Sequence, residues 1–510
     1  MADRPDEPKV EKVGAVEYEH VGTKYFEERS LERRAGVILV WGLGVGYVIS
    51  GEYFSWNFGL ANGGWGGMLL ATVLAIAMYS CMVYSISEMA TAFPVTGGPY
   101  AFARRTMGVW GGFATGIGAI LEYVFATSAL CTVIAGLVLL ILEEADVTIT
   151  TKILGLQPIE WIAALIYLVF VVINLSGVQA TLVSVFAITV VSVGVLILWG
   201  LVLLLQGHFD TSNFGNIAPE AGNSTFLPFG LTGILTALPF AFWWYLAIEG
   251  VPLVSEETRD PSRDLPRGSL RALWTLVALS ALAFFVGVGS GGAEVMSGAF
   301  TPLSDAVRET QGVNWLWWIV SVAGLTGFLA SFHSIIFAFS RIIYALSRAG
   351  YLPRFLSLTG PRKTPYFAII IPSLLGLITA IVYIKQDPAN ALAVLTEMSV
   401  FGALTTYILM MIAFVILRRR EPNVERPYRS PVGIPGAVVA LVIAATCGFA
   451  QLYYPGKVLG ARAGVVATIG VLALGFIYFA LYSRHHLVAE APEEEFALIE
   501  KAEAELDVGA

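Results

Sequence analysis

Residues 42–54 read Gly42-Leu43-Gly44-Val45-Gly46-Tyr47-Val48-Ile49-Ser50-Gly51-Glu52-Tyr53-Phe54, inside an apolar run that begins near residue 36. Alternating glycines, a Ser-Gly pair and an acid do not suit an ordinary membrane helix. Each glycine weakens a helix by roughly 1 kcal/mol and frees its backbone. A second interrupted run lies in the other half of the chain: Leu238-Pro239-Phe240-Ala241-Phe242-Trp243-Trp244-Tyr245, ending in Glu249-Gly250. Pro239 removes a backbone donor there. Non-helical backbone at membrane depth is tolerated only where it is buried in protein or lines a cavity. Paired breaks in two halves of a chain predict an inverted-repeat transporter with its site at mid-membrane. Glycines alone also allow close helix packing; the acid beside each break favours the site.

The rest of the chain agrees with a membrane setting. Of 510 residues, 56% are hydrophobic and 13% charged, whereas soluble domains carry about 25% charged residues. One water-soluble core cannot hide such a surplus. The composition excludes a soluble enzyme, a disordered scaffold and a disulfide-stapled secreted domain. A net charge of −8 argues against a nucleic-acid partner. Cys81, Cys131 and Cys447 lie in apolar runs, where cysteine acts as a small hydrophobe. The first 34 residues contain no apolar secretory signal, so targeting falls to the first membrane helix.

A helix needs about 20 apolar residues to cross the bilayer. That rule gives about twelve spans, at 36–60, 65–88, 109–142, 159–176, 180–206, 229–251, 271–290, 314–345, 366–384, 391–417, 433–454 and 461–482. One set of loops holds Arg104, Arg105, Arg259, Arg263, Arg348, Arg362, Lys363 and the Arg418–Arg420 run. The other holds only Lys152, Arg308, Lys385, Lys457 and Arg462. Basic residues accumulate on the cytoplasmic side, so both termini are expected there. The acidic tail from Glu493 onward is expected to be a short solvated helix.

Four motifs then resemble one family. They are Glu88-Met89-Ala90-Thr91-Ala92-Phe93-Pro94-Val95-Thr96-Gly97-Gly98-Pro99-Tyr100-Ala101-Phe102-Ala103-Arg104 after span 2 and Glu256-Glu257-Thr258-Arg259-Asp260-Pro261 after span 6. The third is Ser340-Arg341 through Leu352-Pro353 with Lys363-Thr364-Pro365, and the fourth is Arg426-Pro427-Tyr428-Arg429. In this order they resemble the amino acid–polyamine–organocation (APC) permeases. The stretch from Gly44 to Phe54 is most similar to bacterial ethanolamine permeases. The resemblance implies an all-α polytopic, LeuT-like fold: a five-plus-five inverted repeat with spans 1 and 6 broken, and two extra C-terminal helices. It implies a tail (1–34), two repeats (35–206 and 229–417), spans 11–12 (430–482) and a second tail (483–510).

Buried ionisable residues cost roughly 2.5–3.5 kcal/mol at a helix centre and are functional candidates by default. Here they are Glu52, Glu122, Glu249, His333 and Glu397, with no Lys or Arg at comparable depth. Several acids without a base favour a cationic substrate. The resemblance, taken along the arginine/agmatine antiporter branch, matches Ser50-Gly51 to the unwound pair that holds an amino acid carboxylate. It matches Glu122 and Thr127 to substrate-pocket positions, Glu249 to a functional acid, and Trp243 to the aromatic that stacks on the substrate. Gly46, Tyr47, Glu52, Phe242, Trp244 and Leu246 complete the candidate lining. His333, Ser331 and Ser334 fall where related folds hold sodium or a proton-carrying substitute. Each also has a plainer reading: a structural partner for Glu122, the outer vestibule for Glu52, packing for Trp244 and Tyr245, and a hydrogen-bonded core residue for His333. Glu88 and Glu397 are expected near the interfaces, without a substrate role.

A free amino acid brings its own carboxylate, whereas an amine requires the protein to supply the anion. Glu122 or Glu52 does so, and the aromatics add cation–π attraction of roughly 0.5–2 kcal/mol. The expected function is import of a small primary amine, ethanolamine first, across a bacterial cytoplasmic membrane by alternating access. Glu122 is the expected ammonium partner, Trp243 the gate, and Glu249 or His333 the coupling group. No metal or cofactor is expected, and proton and sodium coupling both stay open. The rivals are an amino acid or polyamine permease on the same scaffold, and a channel or transporter-like sensor. An embedded enzyme is the least expected of the alternatives, since no Ser/His/Asp, metal-ligand or nucleotide motif appears.

Overall fold

A computed structural model describes residues 10–386, 391–454, 461–495 and 498. Lys457 of the sparse loop set and the two chain ends, 1–9 and 499–510, lie outside the described residues. Among the described residues, ten helices are long and apolar enough to cross a membrane. Two shorter apolar helices, Val37–Tyr53 and Gly230–Phe242, are the interrupted spans 1 and 6. Twelve spans result, as hydropathy predicts.

The breaks lie elsewhere than the glycines and proline suggest. Gly42, Gly44 and Gly46 stay helical in Val37–Val48, and a further turn covers Ser50–Tyr53. The chain leaves the helix at Phe54, which is extended, and at Ser55, whose φ is 85°. It resumes at Trp56 in a helix running to Ala92, kinked at Gly64 between the end of span 1 and span 2. The glycines of span 1 serve close packing instead. A Cβ on Gly44 would lie 2.8 Å from the Ala272 methyl, and one on Gly46 would lie 2.7 Å from Ser334 Oγ. In span 6, Pro239 sits inside the helix Gly230–Phe242, and the break spans Trp243–Ala247. Ala247 is left-handed at φ 74°, and the chain continues as a 3₁₀ turn, Ile248–Glu257. The two breaks face each other through Phe54 and Trp243, ring centroids 5.4 Å apart, and the turn before the first break packs on the second: a Cβ on Gly51 would approach Trp243 O to 2.5 Å.

The tails also differ from expectation. Residues Val10–Val13 and Val16–Glu19 form an antiparallel hairpin, and Leu487–Val488 adds a parallel strand beside Tyr18 and Glu19. Residues 10–19 and 487–488 therefore lie on one face. The acidic tail is not solvated, because Glu493 and Glu494 are buried in ion pairs with Arg348 and Arg104. Two short helices, Ala293–Gly298 and Pro302–Gln311, fill the connection from span 7 to span 8.

Candidate functional site

Span 3 (Pro99–Glu144) and span 10 (Ala391–Arg420) pack closely along their length. A Cβ on Gly402 would lie 2.7 Å from Glu122 N, and Ser399 Oγ donates to Glu122 O at 2.8 Å. This contact aims the Glu122 side chain toward the break of span 6. There the left-handed turn at Ala247 presents Glu249. Tyr407 of span 10 stands between the two acids, 3.0 Å from Glu122 Oε1 and 2.8 Å from Glu249 Oε2. Tyr123 donates to Glu249 Oε1 at 2.8 Å. Behind them Tyr79 donates to the Tyr407 oxygen at 3.4 Å, and Ala247 N–H lies at the same distance.

The proton count at this centre is informative. Tyr407 has one hydroxyl proton and faces two carboxyl oxygens. Both bonds form only if one carboxyl brings a proton of its own. Two buried carboxylates on one hydroxyl cannot both stay charged. The pair therefore shares a proton, and Glu122 Oε2 is left without a hydrogen-bond partner. Among the described residues no Lys or Arg bonds to either acid. All the side chains of this centre are fully buried.

The other candidates separate into groups. Trp243 packs edge-on to Phe54 with centroids 5.4 Å apart, and Phe54 packs on Phe328 at 5.6 Å. This aromatic cluster closes the space between the two breaks. Tyr47 lies beside Gly250, its hydroxyl unpartnered, and Phe242 packs on Tyr79. Leu246 is buried in the break. Ser50 N–H donates to Ser331 Oγ at 3.0 Å, and Ser334 bonds Ala330 O behind Gly46. Trp244 points away from the acids, stacked on Trp56 and bonded to Thr72. Thr127 bonds its own helix at Tyr123 O and Val124 O. Glu52 is fully buried, and neither of its carboxyl oxygens has a partner among the described residues. His333 bridges Asn174 of span 4 (2.8 Å) and Ser184 of span 5 (2.7 Å). Glu88 is held by Arg418 and Arg426, and Glu397 by Gln451, all away from the pair. Tyr79, Tyr123 and Tyr407 went unread in the sequence; only Tyr123, adjacent to Glu122, carried a signal.

On the arginine-rich face, spans 6 and 8 are joined by two ion pairs, the first buried and the second half-buried at its glutamate. Arg341 bonds Glu257 at 2.7 Å and Arg348 bonds Glu256 at 2.6 Å.

Residues 37–492 match the family model described as amino acid permease. The chain belongs to the amino acid permease family. An uncharacterised transporter of Rhizobium meliloti is 30% identical over 84% of this permease and 89% of its own length. The branched-chain amino acid permease of Bacillus subtilis is 26% identical over 90% of this chain and 95% of its own. A methylthioribose transporter of the same bacterium is 24% identical with the same coverage. The permease is thus a polytopic membrane transporter, not an enzyme, and its broken spans and the Glu122–Glu249 pair lie within the matched region.

Proposed function

We propose that this permease imports a small primary amine, ethanolamine first, by alternating access, with the Glu122–Glu249 pair as the partner of its ammonium group. The observation that carries the reading is the pair itself: two buried carboxyls on one tyrosine, with no basic side chain among the described residues bonded to either. An ammonium group entering there takes the place of the shared proton and donates to Glu122 Oε2, the unpartnered oxygen. One amine bound then releases one proton, and the pair serves as both substrate site and proton site. Trp243 and Phe54 are the gate, and Ser50 holds the hydroxyl of the amine. His333, with Ser331 and Ser334, is a second candidate for coupling. The arginine-rich face is the cytosolic one, in a bacterial cytoplasmic membrane.

The second reading is an amino acid permease. It is favoured by the relative named as a branched-chain amino acid permease and by the Ser50–Gly51 turn at the helix end. Thermal unfolding of the purified permease with a panel of amines and amino acids separates the two. A ligand at 100 times its Kd stabilises the folded state by about 2.7 kcal/mol. A shift with ethanolamine and none with alanine, serine or leucine is the expected result. A shift with amino acids alone would overturn the amine reading.

A further inference from the structure

The last described segment of the chain, Leu487 to Glu495, lies across the inner ends of spans 3, 6 and 8. Its strand residues pair with the N-terminal hairpin, and Val488 N–H donates to Ala349 O at 3.1 Å. Beyond the strand, Glu494 is wholly buried and accepts from Arg104 Nε and Nη2 at 2.7–3.0 Å, from Tyr351 at 2.9 Å and from Tyr18 at 3.1 Å. Glu493, also buried, bonds Arg348 at 2.6 Å. Arg348 is at the same time the partner of Glu256, at the end of span 6. One guanidinium thus ties span 8 to span 6 and ties both to the tail.

We infer that residues 487–495 form a strap that holds the inner side of the permease closed, and that the strap must lift before the site opens to that side. The argument is one of connectivity and charge. Opening toward the arginine-rich face separates span 6 from span 8 and so breaks Arg348–Glu256. While Glu493 stays seated, Arg348 cannot swing out and take on water, because the tail carboxylate covers it. Arg104 is held in the same way by Glu494. Removing a single carboxylate strands a buried charge, whereas lifting the whole strap exposes both arginines and both acids to water at once. The strap is therefore a two-position element, seated or lifted, rather than a hinge that yields gradually. Its roof is the N-terminal hairpin, anchored by Arg354 on Glu19 at 2.9 Å, so the two tails act together.

The test needs no substrate. Ser255, buried between Glu256 and the membrane half of span 6, is replaced by Cys in a chain whose Cys81, Cys131 and Cys447 are replaced by Ala. The rate at which a polar maleimide labels it reports opening of the inner side. Deleting residues 487–510 is expected to raise that rate about tenfold or more, as a tenfold shift in the closed–open equilibrium requires. An unchanged or slower rate in the folded deletion variant would overturn the proposal. A full-length chain with Ala349→Cys and Val488→Cys covers the case in which the deletion does not fold. Carrying Ser255→Cys as well and oxidised to a disulfide, it must label at position 255, read by peptide mapping, more slowly than the chain with Ser255→Cys alone, and equal rates at that position would overturn the strap.

Discussion

Glu122→Gln tests the amine site most sharply. The substitution keeps the side chain's volume, and the carboxamide oxygen can still accept from Tyr407, as Glu122 Oε1 does at 3.0 Å. What it removes is the charge-assisted bond from the ammonium to Glu122 Oε2 and the proton shared with Glu249. A hydrogen bond to a charged group contributes about 1.5–3 kcal/mol, which is about a 10- to 150-fold change in Kd. Glu249 keeps its bonds to Tyr123 and Tyr407, so weak binding to the remaining carboxylate should survive. The proton count changes as well. The natural permease should release one proton per ethanolamine bound, and the variant none. Calorimetry of the detergent-purified protein in two buffers of different ionisation enthalpy reads affinity and proton release together. Unchanged affinity with proton release intact would refute the assignment of Glu122 and, with it, the shared-proton argument. Weakened affinity with proton release intact would place the released proton on another group.

Gly51→Ala should lower the melting temperature, because its Cβ would lie 2.5 Å from Trp243 O, a backbone atom that cannot turn aside. Overpacking of this kind costs about 1–3 kcal/mol, and an unchanged melting temperature would show that the two breaks do not abut. His333→Ala removes the bonds to Asn174 and Ser184, which keep only their own-helix partners Phe170 O and Thr181 O, at about 0.5–1.5 kcal/mol for each lost hydrogen bond. Thermal unfolding should therefore show a loss of stability, while the ethanolamine affinity of the folded fraction stays the same because His333 does not touch the Glu122–Glu249 pair. The seating of the tail should weaken as pH rises. The bond to Glu490, at 2.6 Å, raises His20 above its ordinary value, with Glu11 at 3.5 Å adding to it. A raised histidine contributes below about pH 6.5 and loses that contribution as pH climbs through its folded value. Burial raises Glu493, which has the same sign. Glu17, lowered by its bond to His485, acts only in the acid range. Limited proteolysis of the tail should be faster at about pH 8 than at about pH 6, and His20→Gln should reduce the difference, leaving the part that Glu493 contributes.

The contrast between what the sequence disclosed and what it withheld follows from the reach of each interaction. Span existence is written locally, because about 20 apolar residues suffice to cross a bilayer, and the twelve runs were legible. The buried acids were legible for the same reason, since Glu122 and Glu249 interrupt apolar runs. Their meeting was not, because it is made by Tyr407, 285 residues from Glu122, and nothing near Tyr407 distinguishes it from other aromatics of its span. The helix breaks were misplaced because glycine only permits unwinding. Gly44 and Gly46 are held helical by the neighbours that need the space, Ala272, Ser334 and Val185, while the break fell at Phe54 and Ser55, where no breaker residue stands. The tail failed in the opposite way. Glu493, Glu494 and Glu495 look solvated when read locally, yet two of them are buried on Arg104 and Arg348, 390 and 145 residues distant. A charge run is solvated only if no complementary charge awaits it. In this permease the basic residues that mark one face are also the ones that draw the tail back onto the ends of spans 3, 6 and 8 on that face. The charge pattern that predicts orientation is therefore the pattern that seats the strap.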